Sequence, residues 1–321
     1  MEIVDLPHLP PTLRLQLAAL PILDGEPPQD LAFLRRAHAF GLGFTPYHAL
    51  YAIEGGTIHS RIDVVRFPFT TFEGPETVTG IAEVGTRPDS LRRGFAERLL
   101  RDVHRREVRR GVRWALLWTR RSWGAHRLYE RLGYRDVYSP PSALRPGRPT
   151  SMRPLPRGYR WALARRADVT TLERLFRRST RGRLGFTHPL RGALRARIAF
   201  GWRALENHHI LYYRGEPVGY AHLVPAPWHT AVNEVVLVSP VHRTAMLVAL
   251  ERSARGRLLW LTGTSFVTDA ATLLARRGFA IYSMGHLTLM AKSLVETNGD
   301  GNGLGRVCHD ARFTCQRRDS F

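Results

Sequence analysis

Two stretches far apart in the chain read alike, and that likeness limits the fold more than any other feature. Leu116-Leu117-Trp118 is followed by Leu128-Tyr129-Glu130-Arg131-Leu132-Gly133-Tyr134, and Leu258-Leu259-Trp260 by Leu273-Leu274-Ala275-Arg276-Arg277-Gly278-Phe279. Each is an apolar run suited to a buried strand, then a helical pattern that stops at a glycine, the residue that most readily takes the left-handed conformation of a helix C-terminal cap. A chain of 321 residues has room for two ordinary domains. The repeat predicts two copies of one fold.

The patterns around the repeat predict what that fold is. In the first half, PTLRLQLAAL and QDLAFLRRAHAF have helical periodicity, and HALYAIEGGTIHSRIDVVRF reads as a strand, a Gly-Gly turn and a second strand. The strand TVTGIAEVGT follows, then Pro88 and Asp89, a helix from about Leu91 to Arg109, the buried strand GVRWALLW and the helix GAHRLYERLGY. The second half runs in the same order: strand RWALARR, a helix with Asp168 as N-cap, a hairpin turning at Arg214-Gly215-Glu216, strand AVNEVVLV, helix TAMLVALERSA, strand RLLWLTG and helix TDAATLLARRGF. This is an α/β arrangement in which each copy has a central twisted mixed sheet flanked by helices. The expected divisions are residues 1–140 for the first domain, a Pro-, Arg- and Ser-rich linker over 141–157, residues 158–294 for the second domain, and a Gly/Asn/Asp-rich flexible tail over 295–321.

Charge and composition exclude other classes. The 48 Lys and Arg outnumber the 27 Asp and Glu, for a net charge of +21. Lys292 is the only lysine, so the charge is almost all arginine, scattered as a GC-rich genome imposes it and without the compact basic cluster of a nucleic-acid face. No apolar run reaches a membrane-spanning length. The start MEIVDLPHLP lacks the basic segment of a signal peptide, so the expected compartment is the cytoplasm. Cys308 and Cys315 imply no disulfide framework. With His309 they offer three ligands where a structural zinc takes four, and no metal is expected. Trp114, Trp118 and Trp260 read as core, whereas Trp123 and Trp202 could line a pocket.

The chemistry concentrates in VGTRPDSLRRGFAERLL, Val84 to Leu100. A strand ends at a proline and a basic loop opens a helix. The small residues Gly94 and Ala96 permit close backbone approach, Arg92 and Arg93 add charge, and the amides at Gly94, Phe95 and Ala96 sit before the helix dipole. The natural guest is a phosphate or pyrophosphate. The hexad Leu91 to Ala96 resembles the signature of the GCN5-related N-acetyltransferase (GNAT) superfamily: Arg or Gln, two residues, Gly, one residue, then Gly or Ala. Leu91 departs from it at the first position. A second element, SWGAHRLYERLGY, resembles that family's later helix at Ser122, Ala125, Leu128, Tyr129, Glu130, Leu132, Gly133 and Tyr134.

The resemblance implies acetyl-CoA as co-substrate, no metal, and transfer of the acetyl group to an amine by direct attack in a ternary complex. Val84, Gly85 and Thr86 correspond to the family's splayed strand, which pairs with the pantetheine arm, and Arg92 to Ala96 to its pyrophosphate cradle. Ser122 and Ala125 lie beside the cofactor, and Tyr129 corresponds to the acid that protonates the leaving thiolate. Glu83, one residue before that strand segment, is a candidate base, with a solvated or ion-paired strand carboxylate as the alternative. Strand alternation puts Glu83 and Gly85 on one face and Val84 and Thr86 on the other.

In the second copy Pro240 stands where the first has Pro88, Met246 falls where Gly94 would be, and Leu274 where Tyr129 would be, so this copy reads as degenerate. The segment from Arg61 to Gly94 is similar to the Eis-like tandem acetyltransferases, although the tail after Leu294 is too short for their further sterol-carrier-like domain. The acceptor is an amine of a small molecule or of a peptide or protein. The rival reading is a non-catalytic module that binds a polyanion or nucleic acid on the same scaffold. No oligomeric state is specified.

Overall fold

The computed structural model describes residues 1–19, 48–147, 153–188, 194, 205–283, 285–295 and 303–315. The expected helix QDLAFLRRAHAF and Trp202 lie outside them. The first copy runs β1 (Glu2–Asp5), α1 (Arg14–Ala19), β2 (His48–Glu54), β3 (Thr57–Thr71), β4 (Gly74–Thr86), α2 (Phe95–Arg109), β5 (Trp114–Arg120), α3 (Gly124–Arg131) and β6 (Arg135–Tyr138). After β7 (Pro141–Arg145) the order recurs: β8 (Tyr159–Leu163), α4 (Val169–Ser179), β9 (Leu184–Gly185), β10 (His208–Tyr213), β11 (Glu216–Pro225), β12 (His229–Leu237), α5 (Arg243–Ala254) and β13 (Leu258–Leu261). The expected helix through Thr268 to Phe279 is two short pieces, α6 (Ser265–Asp269) and α7 (Ala271–Arg276), followed by β14 (Ala280–Ser283) and β15 (Leu287–Ser293). The last described elements are α8 (Gly303–His309) and β16 (Phe313–Thr314).

Local rules explain the repeat. Both hairpins turn on two residues of positive φ, Gly55-Gly56 (56° and 68°) and Arg214-Gly215 (49° and 86°), as the twist of antiparallel strands favours. Both later helices end in the same left-handed glycine motif. In the first, the Tyr134 amide donates to the Tyr129 carbonyl at 3.0 Å and Gly133 to Glu130 at 2.9 Å; in the second, Phe279 donates to Leu274 at 3.0 Å and Gly278 to Ala275 at 2.9 Å.

Strand order is where the two copies become entangled. The first sheet runs β1-β2-β3-β4-β5-β15-β6, and the second β14-β7-β13-β12-β11-β10-β8. Each sheet therefore takes one strand from beyond its own copy. β15 pairs antiparallel with β5 from Leu287–Arg120 to Ser293–Trp114, while β7 lies between β13 and β14. This differs from the expected linker over 141–157, whose first five residues are a strand of the second sheet. It also carries the last strand of the 158–294 segment into the first sheet. Nothing in a short strand names its neighbour, because register and pairing are satisfied by any edge that buries the correct face.

The tail is also more than a flexible end. Leu304, Val307, Cys308, Phe313 and Cys315 are buried in one cluster with Phe67, Phe69, Trp114 and Phe186. β16 pairs with β9, which in turn touches β3. The Gly/Asn-rich stretch is followed by enough apolar side chains to cover one face of the first sheet, and burial of that area holds the segment down. On the other face, α2 packs through Leu99, Leu100 and Val103 against Ile62, Val64, Ile81 and Leu117. Its buried Glu107 accepts hydrogen bonds from Arg66 (2.8 Å) and Thr79 (2.7 Å), which fasten the helix to β3 and β4.

Candidate active site

β4 and β5 run parallel only as far as the pair Ile81–Leu117. Beyond it β5 stays with β15 on its other edge, β4 stays with β3, and a gap opens between the two C-terminal ends. Just past the last pair β4 bulges. Asp63 faces Ala82 and Arg61 faces Gly85, so β4 spends one more residue than β3 over the same span. Glu83 takes the strain, at φ 47°. The bulge resets the strict alternation expected from the sequence: Glu83 is exposed, Gly85 is buried, and Val84 packs into the cluster under α2 and α3.

Glu83 does not stand alone. The buried Arg61 reaches its carboxylate at 3.2 Å and that of Asp63 at 3.4 Å. Burial and the Asp63 charge push the nearby Tyr51 phenol well up. Arg61 and Asp63 escaped the sequence reading; the only available sign was their two-residue spacing on β3, opposite the strand of interest. The Gly85 carbonyl accepts from the Ser60 hydroxyl at 2.7 Å, and the Arg87 amide donates to His59 at 2.9 Å, so the β3 side of the gap is closed by hydrogen bonds.

At the mouth of the gap, a 3-10 turn at Pro88–Ser90 leads into a loop with Arg92 at φ 62° and Gly94 at φ 80°. Gly94 is the N-cap of α2 and supplies no side-chain bond to the first-turn amides, which remain available to a guest. A Cβ placed on Gly94 would meet nothing closer than the Arg98 Nε at 4.0 Å, so the space above the loop is open. Phe95 anchors the loop by stacking on His59 at 4.5 Å, and His59 pairs with the Ser90 hydroxyl at 2.7 Å. Arg92 is exposed and Ala96 half-buried, and the Arg93 guanidinium is drawn to Glu54 at 2.9 Å. Arg98, one helical turn from Gly94, is a basic residue the motif did not single out.

Across the gap, α3 contributes Tyr129. It is 5% exposed and shares one apolar cluster with Val84, Phe95 and Ala125, so residues from three elements, β4, α2 and α3, converge. Ser122 lies exposed on the preceding turn, next to Trp123, which Arg120 approaches at 5.2 Å. The Tyr129 ring meets Tyr134 edge-on at 5.9 Å, and the Tyr134 hydroxyl pairs with His104 at 2.9 Å. Lys292, on the borrowed strand β15, donates to the Leu132 carbonyl at the end of α3. Burial lowers its pKa.

Burial, with the Lys292 and Arg101 charges, pushes the His104 imidazole down to about 3. The unfolded chain takes up a proton near pH 6.5 that the folded chain refuses until far lower. This stability is therefore complete above pH 6.5 and is lost as pH falls towards 3, at about 1.4 kcal/mol per unit. Urea melts of wild type and His104→Leu at pH 7, 6 and 5 should show a slope shallower by about one proton in the variant. Parallel slopes would mean that this imidazole is not what acid titrates.

The second copy keeps the opening and loses the cradle. β12 leaves β13 after Val232–Leu261, and it too bulges at once, between Val232 and Glu234. But α5 begins at Arg243, directly after the turn Pro240–His242, so the loop Leu91–Gly94 has no counterpart. Met246 thus does not replace Gly94 in a loop, as the sequence suggests; it lies fully buried inside α5. Leu274 is likewise fully buried. Among the described residues no group of three or more His, Cys, Asp or Glu could hold a metal ion, and no helix is long and apolar enough to cross a membrane.

A mixed sheet flanked by helices, in an order that occurs twice along the chain, is the fold of solved GCN5-related N-acetyltransferases, including a tandem one. Residues 73–139 match the model of the family described as FR47-like protein. A GCN5-related N-acetyltransferase of Anabaena variabilis is 14% identical with TM-score 0.68, covering 92% of this chain and 73% of its own. A tandem GNAT protein of the clavulanic acid biosynthesis pathway is 13% identical with TM-score 0.55, covering 92% and 99%. Eis1 of Mycobacterium abscessus is 16% identical with TM-score 0.54, covering 80% and 66%. No curated protein matches the sequence.

Proposed function

We propose that the chain is a cytoplasmic N-acetyltransferase that uses acetyl-CoA and an amine acceptor, with its working site in the first copy. The carrying observation is the gap between β4 and β5, with the left-handed Gly94 loop at its mouth and Tyr129 in its wall. Acetyl-CoA brings the thioester. The open space over Gly94 and the uncapped amides of α2 suit its pyrophosphate, with Arg92, Phe95, Ala96 and Arg98 around it. The edge of β4 from Val84 to Thr86, which β5 no longer covers, offers its backbone to the pantetheine amides, and Ser122 and Ala125 close the far side.

In this reading Tyr129 gives a proton to the departing thiolate and Glu83 takes one from the attacking amine, directly or through a water; the Arg61 ion pair with the Glu83 carboxylate supports it. Arg93, bound to Glu54, supports the loop rather than gripping phosphate in this conformation. The acceptor is an amine of a small molecule or of a peptide or protein.

Calorimetry with acetyl-CoA tests the reading, and absence of binding would end it. Gly94→Glu should weaken that binding by at least about tenfold, because one repelled charge of about 1.4 kcal/mol is a factor of ten. The variant should still melt cooperatively, since its cost is the strain of φ 80°, roughly 1–3 kcal/mol. A mass-spectrometric screen of amines and peptides would then identify the acceptor.

A further inference from the structure

The second copy's opening contains a cavity of about 140 Å³. It sits where β12 has left β13, walled by α4, α6 and the tail strand β16. Val235 and Phe266, both 4% exposed, form an apolar side. The polar side holds two arginines and one aspartate. Arg183 is satisfied by Asp269 at 2.5 Å, which leaves Arg243 with no carboxylate partner among the described residues. Ser179 and Ser239 add hydroxyls. The lining therefore carries one uncompensated positive charge beside an apolar wall.

We infer that this cavity is a second ligand site, and that it takes a small monocarboxylic acid whose carboxylate meets Arg243 and whose ring or short chain lies on Val235 and Phe266. The volume matches: a cavity of about 150 Å³ holds one benzene ring. The charge matches, because one free guanidinium pairs with one carboxylate and its planar fork favours that geometry. The absent loop between Pro240 and α5 argues against a nucleotide-bearing ligand such as CoA, for which no cradle remains. The site is independent of the acetyl-transfer reading.

The probes are benzoate and its uncharged isostere benzamide, titrated into the full chain and followed by saturation-transfer NMR. Benzoate should bind saturably and at least about tenfold more tightly than benzamide, the factor a charge-assisted hydrogen bond supplies. Arg243→Gln should erase that difference, and Ser179→Phe should abolish binding of both by filling the cavity, each variant keeping the wild-type melting curve and acetyl-CoA affinity. Equal binding of the two probes, no binding, wild-type behaviour of Arg243→Gln, or displacement of benzoate by acetyl-CoA would each overturn the assignment.

Discussion

Expressed separately, residues 1–157 and 158–321 are expected to give no cooperative melt, whereas the two fragments together should restore one. The first fragment lacks β15, and with it the neighbour of β5 along all seven of that strand's residues. It also loses the fully buried Leu289 and Met290, worth about 1.5–3 kcal/mol each, and β6 loses its one strand neighbour among the described residues. The second fragment lacks β7, whose Ser142 and Ala143 are fully buried between β13 and β14. Losses of this size consume most of the 5–15 kcal/mol that stabilises an ordinary domain. Circular dichroism melts of each fragment and of the mixture make the check. A first fragment that melts like the intact chain would show that the borrowed strand is dispensable.

Tyr129→Phe is expected to lower kcat by about a hundred- to ten-thousandfold while leaving the KM for acetyl-CoA and the melting temperature near wild type. The ring carries the packing, on Val84, Phe95, Ala125 and Tyr134, and the substitution keeps the ring. What disappears is the hydroxyl, and with it, in the proposed role, the proton for a thiolate that leaves with a pKa near 8.5. Steady-state kinetics from pH 6 to 9 decide the matter. Turnover within threefold of wild type throughout would remove Tyr129 from the acid role and leave the thiolate departing unassisted.

The two experiments probe parts of the molecule that differ in how far they could be read from the residues. Gly133 and Gly278 each cap a helix within five residues of sequence, and the Gly55-Gly56 and Arg214-Gly215 turns are equally local, so these were legible. The loop at Arg92 to Ala96 was legible for the same reason: glycine and a helix start determine where the amides point. The face on which Glu83 stands was not, because one extra residue opposite Arg61 and Asp63 shifts the alternation, and that pairing joins residues about twenty positions apart in sequence. The packed tail was missed because its Gly/Asn content describes only the chain before Gly303, and not the cluster that Leu304, Val307 and Cys308 find on the first sheet.

By itself, then, the sequence determined the repeat, the main run of strands and helices within each copy, the turns and caps, and the inequality of the copies through Leu274 in place of Tyr129. These follow from backbone torsions, capping and periodicity, which act over a few residues. Only the tertiary structure decided which strands lie side by side, and so that β7 and β15 change places, that α3 is capped by a lysine from the far end of the chain, and that Arg61 holds Glu83. Hydrophobic burial is non-directional and an unpaired strand edge accepts any partner of suitable register. Those choices are settled by competition among all the edges and faces of the chain at once.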